Sequence, residues 1–215
     1  MLMFIAIVDI KPGKDEVSYE TLENLKGDGA VTPLLIGRTF EDADVVLLLH
    51  TAEMEALDDY LIKNVREKVE TEELTVVPIY EFTLLPAFDS IVELESETHE
   101  GGEESGDGPS ADDPDLLLFM TNIDITPGWD EKVNKAIVTE TPEVQDSIPL
   151  MTGHAFHSRE FDSVLFYLSK DLDSAWKFTK KVREIPGVRD TQTSLFSHFE
   201  ALVPLDEFKR LAPRK

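Results

Sequence analysis

Val8-Asp9-Ile10-Lys11-Pro12-Gly13-Lys14-Asp15-Glu16 returns, 115 residues further on, as Ile123-Asp124-Ile125-Thr126-Pro127-Gly128-Trp129-Asp130-Glu131. An apolar run that stops at Pro-Gly and passes into carboxylates describes a strand end, a turn and a helix start. Proline fixes φ, glycine tolerates the turn, and acidic side chains suit a helix N-terminus. Other matches follow in the same order. Pro33-Leu34 with Gly37 and Phe40 returns as Pro149-Leu150 with Gly153 and Phe156, Asp44 returns as Asp162, and Val65-Arg66-Glu67 returns as Val182-Arg183-Glu184. The offsets drift only by loop-sized insertions, which is the pattern of a duplicated unit.

Each copy carries the same elements. Residues 2–10 and 116–125 are apolar, β-prone runs ending at the Pro-Gly turns. Val133, Ala136 and Ile137 share one helical face, and Val17, Leu22 and Leu25 mark the matching helix. Residues 31–36 and 144–151 predict second strands, and 45–49 and 164–168 third strands, with turns at Gly37 and Gly153 between them. Met54, Leu57, Leu61, Ile62 and Val65 form the buried stripe of a second helix, and Leu172, Ala175, Trp176 and Thr179 repeat it. Fourth strands are expected over 74–82 and 191–199, with the donor-less Pro78 at an edge or bulge, and short helices open at Pro86 and Pro204.

The order β-α-β-β-α-β is the ferredoxin-like split unit, whose antiparallel sheet carries helices on one face only. The other apolar face needs cover, and the tethered copy supplies it at high effective concentration. The sequence therefore predicts an α+β chain of two tandem ferredoxin-like βαββαβ units packed sheet to sheet as an intramolecular pseudo-dimer. The expected boundaries are 1–92 and 115–215, joined by a flexible linker over 93–114. Between Asp89 and Asp115 the chain has eleven Asp or Glu and no Lys or Arg, broken by Gly and Ser. Such a stretch buries too little apolar surface to offset its ordering entropy.

Composition removes several functional classes. The absence of cysteine excludes disulfides, thiolate nucleophiles and cysteine-based metal sites. A net charge of -24 opposes direct nucleic-acid or anionic-membrane binding, since phosphate contacts rest on Lys and Arg. With no long apolar run and no cleavage site after residues 1–10, a soluble cytoplasmic protein is expected.

In the second copy, Thr141-Pro142-Glu143-Val144 resembles a "PGV" entry into strand two, Gly153 followed by Phe161-Asp162 resembles a Gly-x-Tyr-Asp turn, and Ile185-Pro186-Gly187-Val188-Arg189-Asp190-Thr191-Gln192-Thr193 resembles a "PGV-x-x-T-x-T" entry into strand four. These motifs resemble the ligand-binding RAM domain of the Lrp/AsnC family, within the dimeric α+β barrel group. The first copy follows by the repeat. The resemblance implies a non-enzymatic regulatory module binding an amino-acid-like effector, without a helix-turn-helix of its own. It also implies assembly as a homo-oligomer or with helix-turn-helix-bearing RAM relatives. The site positions it implies are Gly37, Asp44, Gly153 and Asp162, with Thr191 and Thr193. Arg38 joins them as a guanidinium suited to a carboxylate ligand.

Two other readings stay open. One is an enzyme of the same barrel group, monooxygenase-like or haem-handling, that uses the cavity between the copies and a histidine such as His154 or His157. The other is a purely structural interaction module. His154 and His157, with Glu160, are the densest set of metal-ligand types, but no strict ligand spacing occurs, so no metal or cofactor is expected. Trp176 is expected in the core, and Trp129 exposed at its turn.

Overall fold

Along β1 (Leu2–Ile10) alternate side chains enter different layers, as the two-residue period of a strand requires. Met3 and Ile5 join one apolar cluster, whereas Phe4, Ala6, Val8 and Ile10 join another. The structure, a computed structural model, describes residues 2–40, 45–88, 116–139, 146–155, 158 and 160–212. After β1 come α1 (Asp15–Glu23), β2 (Val31–Thr39), β3 (Val45–Thr51), α2 (Met54–Leu61) and β4 (Thr71–Leu84). α2 continues into a π-helical stretch, Ile62–Arg66. The same order returns as β5 (Leu117–Ile125), α3 (Asp130–Thr139), β6 (Ser147–Ala155), β7 (Ser163–Ser169), α4 (Leu172–Arg183) and β8 (Val188–Ala201), followed by α5 (Leu205–Leu211). The expected linker, Asp44, Phe156, His157 and the 141–144 motif lie outside the described residues.

The eight strands form one closed antiparallel barrel in the order β1-β3-β2-β8-β5-β7-β6-β4, with β4 pairing back to β1. The expected pair of stacked sheets is corrected here: the apolar faces of the two halves do meet, but their edges are also hydrogen-bonded into a single sheet. The long strands make this closure. β4 and β8 each span 14 residues. The first part of β4 pairs with β1, and from Ile79 onward it also pairs with β6 of the other half. β8 likewise pairs with β5 and then, from Phe196, with β2. Closure removes every exposed sheet edge. Pro78 fits this plan, because it lies opposite Phe4 just before the ladder to β6 begins.

Three apolar clusters result. Met3, Ile5, Val46, Leu48, Val77 and Ile79 from the first half meet Leu118, Met120, Val164, Phe166, Leu168 and Phe196 from the second inside the barrel. Outside it, Tyr19, Leu22, Leu57, Tyr60, Leu61 and Val65 cover the first half, and Val133, Ile137, Ala175, Phe178 and Val182 the second. β3 and β7 are buried along their full length because both of their faces are covered, which is why they read as unbroken apolar runs.

Three expected helix faces are corrected; on α2 and its π-helical continuation, Leu57, Leu61 and Val65 are buried as expected but Met54 and Ile62 are exposed. On α4 the buried stripe is Ala175, Phe178, Thr179 and Val182, a spacing of three, four and seven. Trp176 and Leu172 are instead 62% exposed each. On α1, Tyr19 and Leu22 are buried and Val17 faces solvent. Trp129 is partly exposed, with its ring beside the positive-φ Gly187 and under Lys132.

The turns expected at Gly37 and Gly153 are also corrected. Both glycines lie inside strands, in β2 and β6, and neither has a positive φ. A Cβ at Gly37 would collide with the Phe196 ring, and one at Gly153 with Ile79. Each glycine therefore makes room for a large side chain of the other half.

The two ends of the barrel differ. At one end, Phe208 of α5 packs on Phe82 and Phe88, with ring centroids 6.5 and 5.3 Å apart, and seals the interior. At the other end the inward positions turn polar.

Candidate functional site

Four carboxylates ring the polar end because of register. Asp9 of β1 stands opposite Glu73 of β4, and Asp124 of β5 opposite Asp190 of β8. Like charges directly opposite each other on paired strands are destabilising, and this chain places such a pair at the matching point of both halves. Arg189 bridges Asp124 at 3.0 Å, and Arg183 lies 3.6 Å from Asp190. Glu73 and Glu160 have no cationic partner among the described residues.

Below this rim is a cavity of about 400 Å³ lined from both halves. Asp9, Glu73 and Thr75 line one side, and Asn122, Gln192 and Glu160 the other. Ile7 and Met120 mark its passage into the apolar interior. A smaller space of about 80 Å³ continues toward Asp124 and Asp190. The amide oxygen of Asn122 is buried here with no hydrogen-bond partner. Leaving such an acceptor unpaired costs on the order of 1–3 kcal/mol, a cost that a donor on a bound molecule removes. The cavity thus combines three carboxylates able to take up a proton, an unpaired acceptor and an apolar floor.

The site residues expected from sequence are dispersed. Gly37 and Gly153 serve packing between the halves, as above. Arg38 lies on β2, where its carbonyl accepts a hydrogen bond from Ser197, and it faces the Tyr19 side of the sheet. Asp162 accepts the backbone N–H of Ile125 at 2.6 Å and so ties β7 to the end of β5. Thr193 shares hydrogen bonds with Thr121 and Thr179 at 2.8 and 3.1 Å, and Thr191 accepts from Arg183. Both threonines point to the outer face of the barrel, and Thr191 also borders the small space beside Asp190. They line a second, larger cavity of about 560 Å³ between α4 and the sheet.

The histidines do not converge either. His154 is a buried strand residue whose Nε2 is 3.9 Å from Asp130, with Tyr80 edge-on at 4.8 Å and Nδ1 unpaired. Burial pushes its pKa below the ordinary value, opposed by Asp130, Glu81 and Asp162. His50 is inside β3, also held low by burial, and His198 packs against Tyr19. No metal-binding group of three His, Asp or Glu occurs among the described residues. Sequence reasoning missed the central cavity. Its one signal was Val8-Asp9-Ile10 returning as Ile123-Asp124-Ile125, an acid at an inward strand position in both halves.

No family model and no curated protein matches the sequence. Among solved structures, a protein from Lactobacillus acidophilus NCFM assigned as a monooxygenase aligns over 94% of this chain and 96% of its own, with a TM-score of 0.55 and 10% identity. An anthrone oxidase-like protein aligns over 94% and 92%, with a TM-score of 0.55 and 10% identity. A mutant chlorite dismutase from Candidatus Nitrospira defluvii aligns over 99% and 95%, with a TM-score of 0.52 and 14% identity. The fold is shared with these structures: an α+β barrel closed by eight antiparallel strands. These neighbours overturn the resemblance to Lrp/AsnC RAM domains, and with it the reading as an amino-acid-responsive regulatory module. The physical reason is that the motifs behind that resemblance encode geometry. The glycines seat side chains across the barrel, and Asp162 accepts a backbone N–H at a strand end, so these residues report how the two halves pack.

Proposed function

We propose that the chain is an enzyme with monooxygenase-like chemistry, acting on a small neutral or cationic organic molecule in the cavity between its two halves. The observation that carries this reading is the cavity itself, with Glu73, Glu160 and Asp9 around the unpaired amide oxygen of Asn122. Two neighbours in fold, assigned as a monooxygenase and as anthrone oxidase-like, support it. In the same reading the halves are diverged ferredoxin-like copies, and the chain is the one-chain counterpart of a dimer.

The chemistry suits a methylene made acidic by flanking carbonyl or aryl groups. A carboxylate takes one proton, and the resulting carbanion is rich enough in electrons to react with dioxygen. One oxygen atom stays on carbon as a carbonyl and the other leaves as water, so the methylene and dioxygen account for every atom. Asn122 orients a substrate hydroxyl or N–H through its oxygen, and the apolar floor at Ile7 and Met120 keeps water away from the carbanion.

The linings of these two cavities do not suit haem: its iron takes an axial His, Cys, Tyr or a Met/His pair, and among the described residues no His, Cys or Tyr lines either of them. The acidic rim also repels a small anion such as chlorite. The test is oxygen uptake by the purified chain with anthrone and with 1,3-dicarbonyl compounds. Glu73→Gln or Glu160→Gln should lower the rate by about 10²-fold or more, the usual weight of a general base. Uptake unchanged in both variants and in Asp9→Asn would sink the proposal.

A further inference from the structure

We propose that the groove between α4 and the outer face of β5 and β8 binds an apolar carboxylate, independently of the chemistry in the central cavity. The groove holds about 560 Å³, and its walls include Phe119, Leu172, Trp176 and Leu195. Leu172 and Trp176 form its lip and leave 62% of their surface in water. Exposed large apolar side chains gathered at one concave place mark a surface that something covers.

The other half of the same chain shows what this place looks like when it is filled. Register fixes the correspondence: Leu74 and Val76 of β4 stand opposite Val8 and Ala6, and Thr191 and Thr193 of β8 opposite Ile123 and Thr121. In the first half, Leu57 and Leu61 of α2 are buried and share one apolar cluster with Leu74 and Val76. The matching helix positions in α4 are Ala175 and Thr179, counted from the serine or threonine that ends β3 or β7. Four aliphatic side chains have thus become Ala175, Thr179, Thr191 and Thr193. Volume is lost on both the helix and the sheet, and the space left is the groove.

Charge then selects the ligand. The chain carries -24 overall, yet α4 holds Lys177, Lys180, Lys181 and Arg183 against the single acid Asp173. Basic residues in a last turn suit the helix dipole anyway, but Lys180 and Arg183 also line the groove. Arg183 is held in place by donating through Nε to the Thr191 hydroxyl and through Nη2 to the Thr191 carbonyl at 2.6 Å. Lys180 lies 5.6 Å from the Trp176 ring centroid. A ligand with its apolar body on Phe119 and Leu195 and a carboxylate between Lys180 and Arg183 satisfies both features. A basic cleft in so acidic a protein also draws anions to this face.

The experiment is calorimetric titration of the full chain with decanoate and, as the uncharged control, 1-decanol, followed in parallel by the fluorescence of Trp176 in a Trp129→Phe background. Decanoate should bind, and 1-decanol or the Lys180→Met variant should show binding about tenfold weaker, the factor expected for one charge-assisted contact. The double variant Ala175→Leu with Thr193→Val rebuilds the packing of the first half. It should abolish decanoate binding while keeping the native circular-dichroism spectrum and the oxygen uptake of the central cavity. No binding of decanoate, equal binding of decanoate and 1-decanol, or undiminished binding in a folded repacked variant would each overturn the proposal.

Discussion

At the scale of single residues, the two buried histidines make stability depend on pH. His50 and His154 both have pKa values pushed below the ordinary histidine value, chiefly by burial. The unfolded chain then binds more protons than the folded one once pH falls below about 6.5, so stability rises with pH through that range and is lost on acidification. Denaturant melts at pH 7 and pH 5 should show the loss, and His154→Gln should flatten it; an unchanged slope in that variant would assign the loss to other groups. The glycines act by space. Gly37→Ala and Gly153→Ala should each cost about 1–3 kcal/mol by overpacking against Phe196 and Ile79, read as a lower denaturation midpoint. Sequence placed both glycines at matching points of the repeat but gave them a turn's task. The side chains that need the space belong to the other half and are distant in sequence.

Among the elements, order and type were legible because each rests on local pattern. Strand ends at Pro-Gly and helix starts at acidic residues need no partner to be recognised. What local pattern did not show was the length of β4 and β8. The expected spans stop at 82 and 199, whereas the strands run to Leu84 and Ala201. Their last residues pair with the opposite half, so their alternation has no meaning until that half is in place. β4 also bends there, with a register shift between Tyr80 and Thr83 and Glu81 at φ 51°. The exposed Trp176 has a similar origin. A three-and-four spacing fits more than one stripe on α4, and only the sheet beneath selects Phe178 and Val182. α5 offers the cleanest test at this scale. Phe208→Ala empties the seal over Phe82 and Phe88 and should cost about 3–5 kcal/mol, measured by equilibrium urea unfolding.

For the whole molecule, net charge and the rim carboxylates oppose the compact state, and salt should relieve that. Raising ionic strength from about 0.01 to 0.15 M shortens the screening length from roughly 30 to 8 Å, so Tm should climb; a flat Tm would show that the charges are too far apart to matter. Glu73→Gln should raise stability by about 0.2–1 kcal/mol, because it removes a like-charge pair with Asp9. The same change should lower oxygen uptake by about 10²-fold, the trade expected where a strained arrangement serves function. By itself, the sequence determined the element order, the apolar strands and the acid at the end of the first strand in each half, since all follow from periodicity along one chain. Only the tertiary structure decided that the sheet closes on itself, that one end is sealed and the other acidic, and that a groove opens beside the second half. Those properties belong to pairs of residues far apart in sequence, and the strand register and packing that join them arise only when the two halves meet.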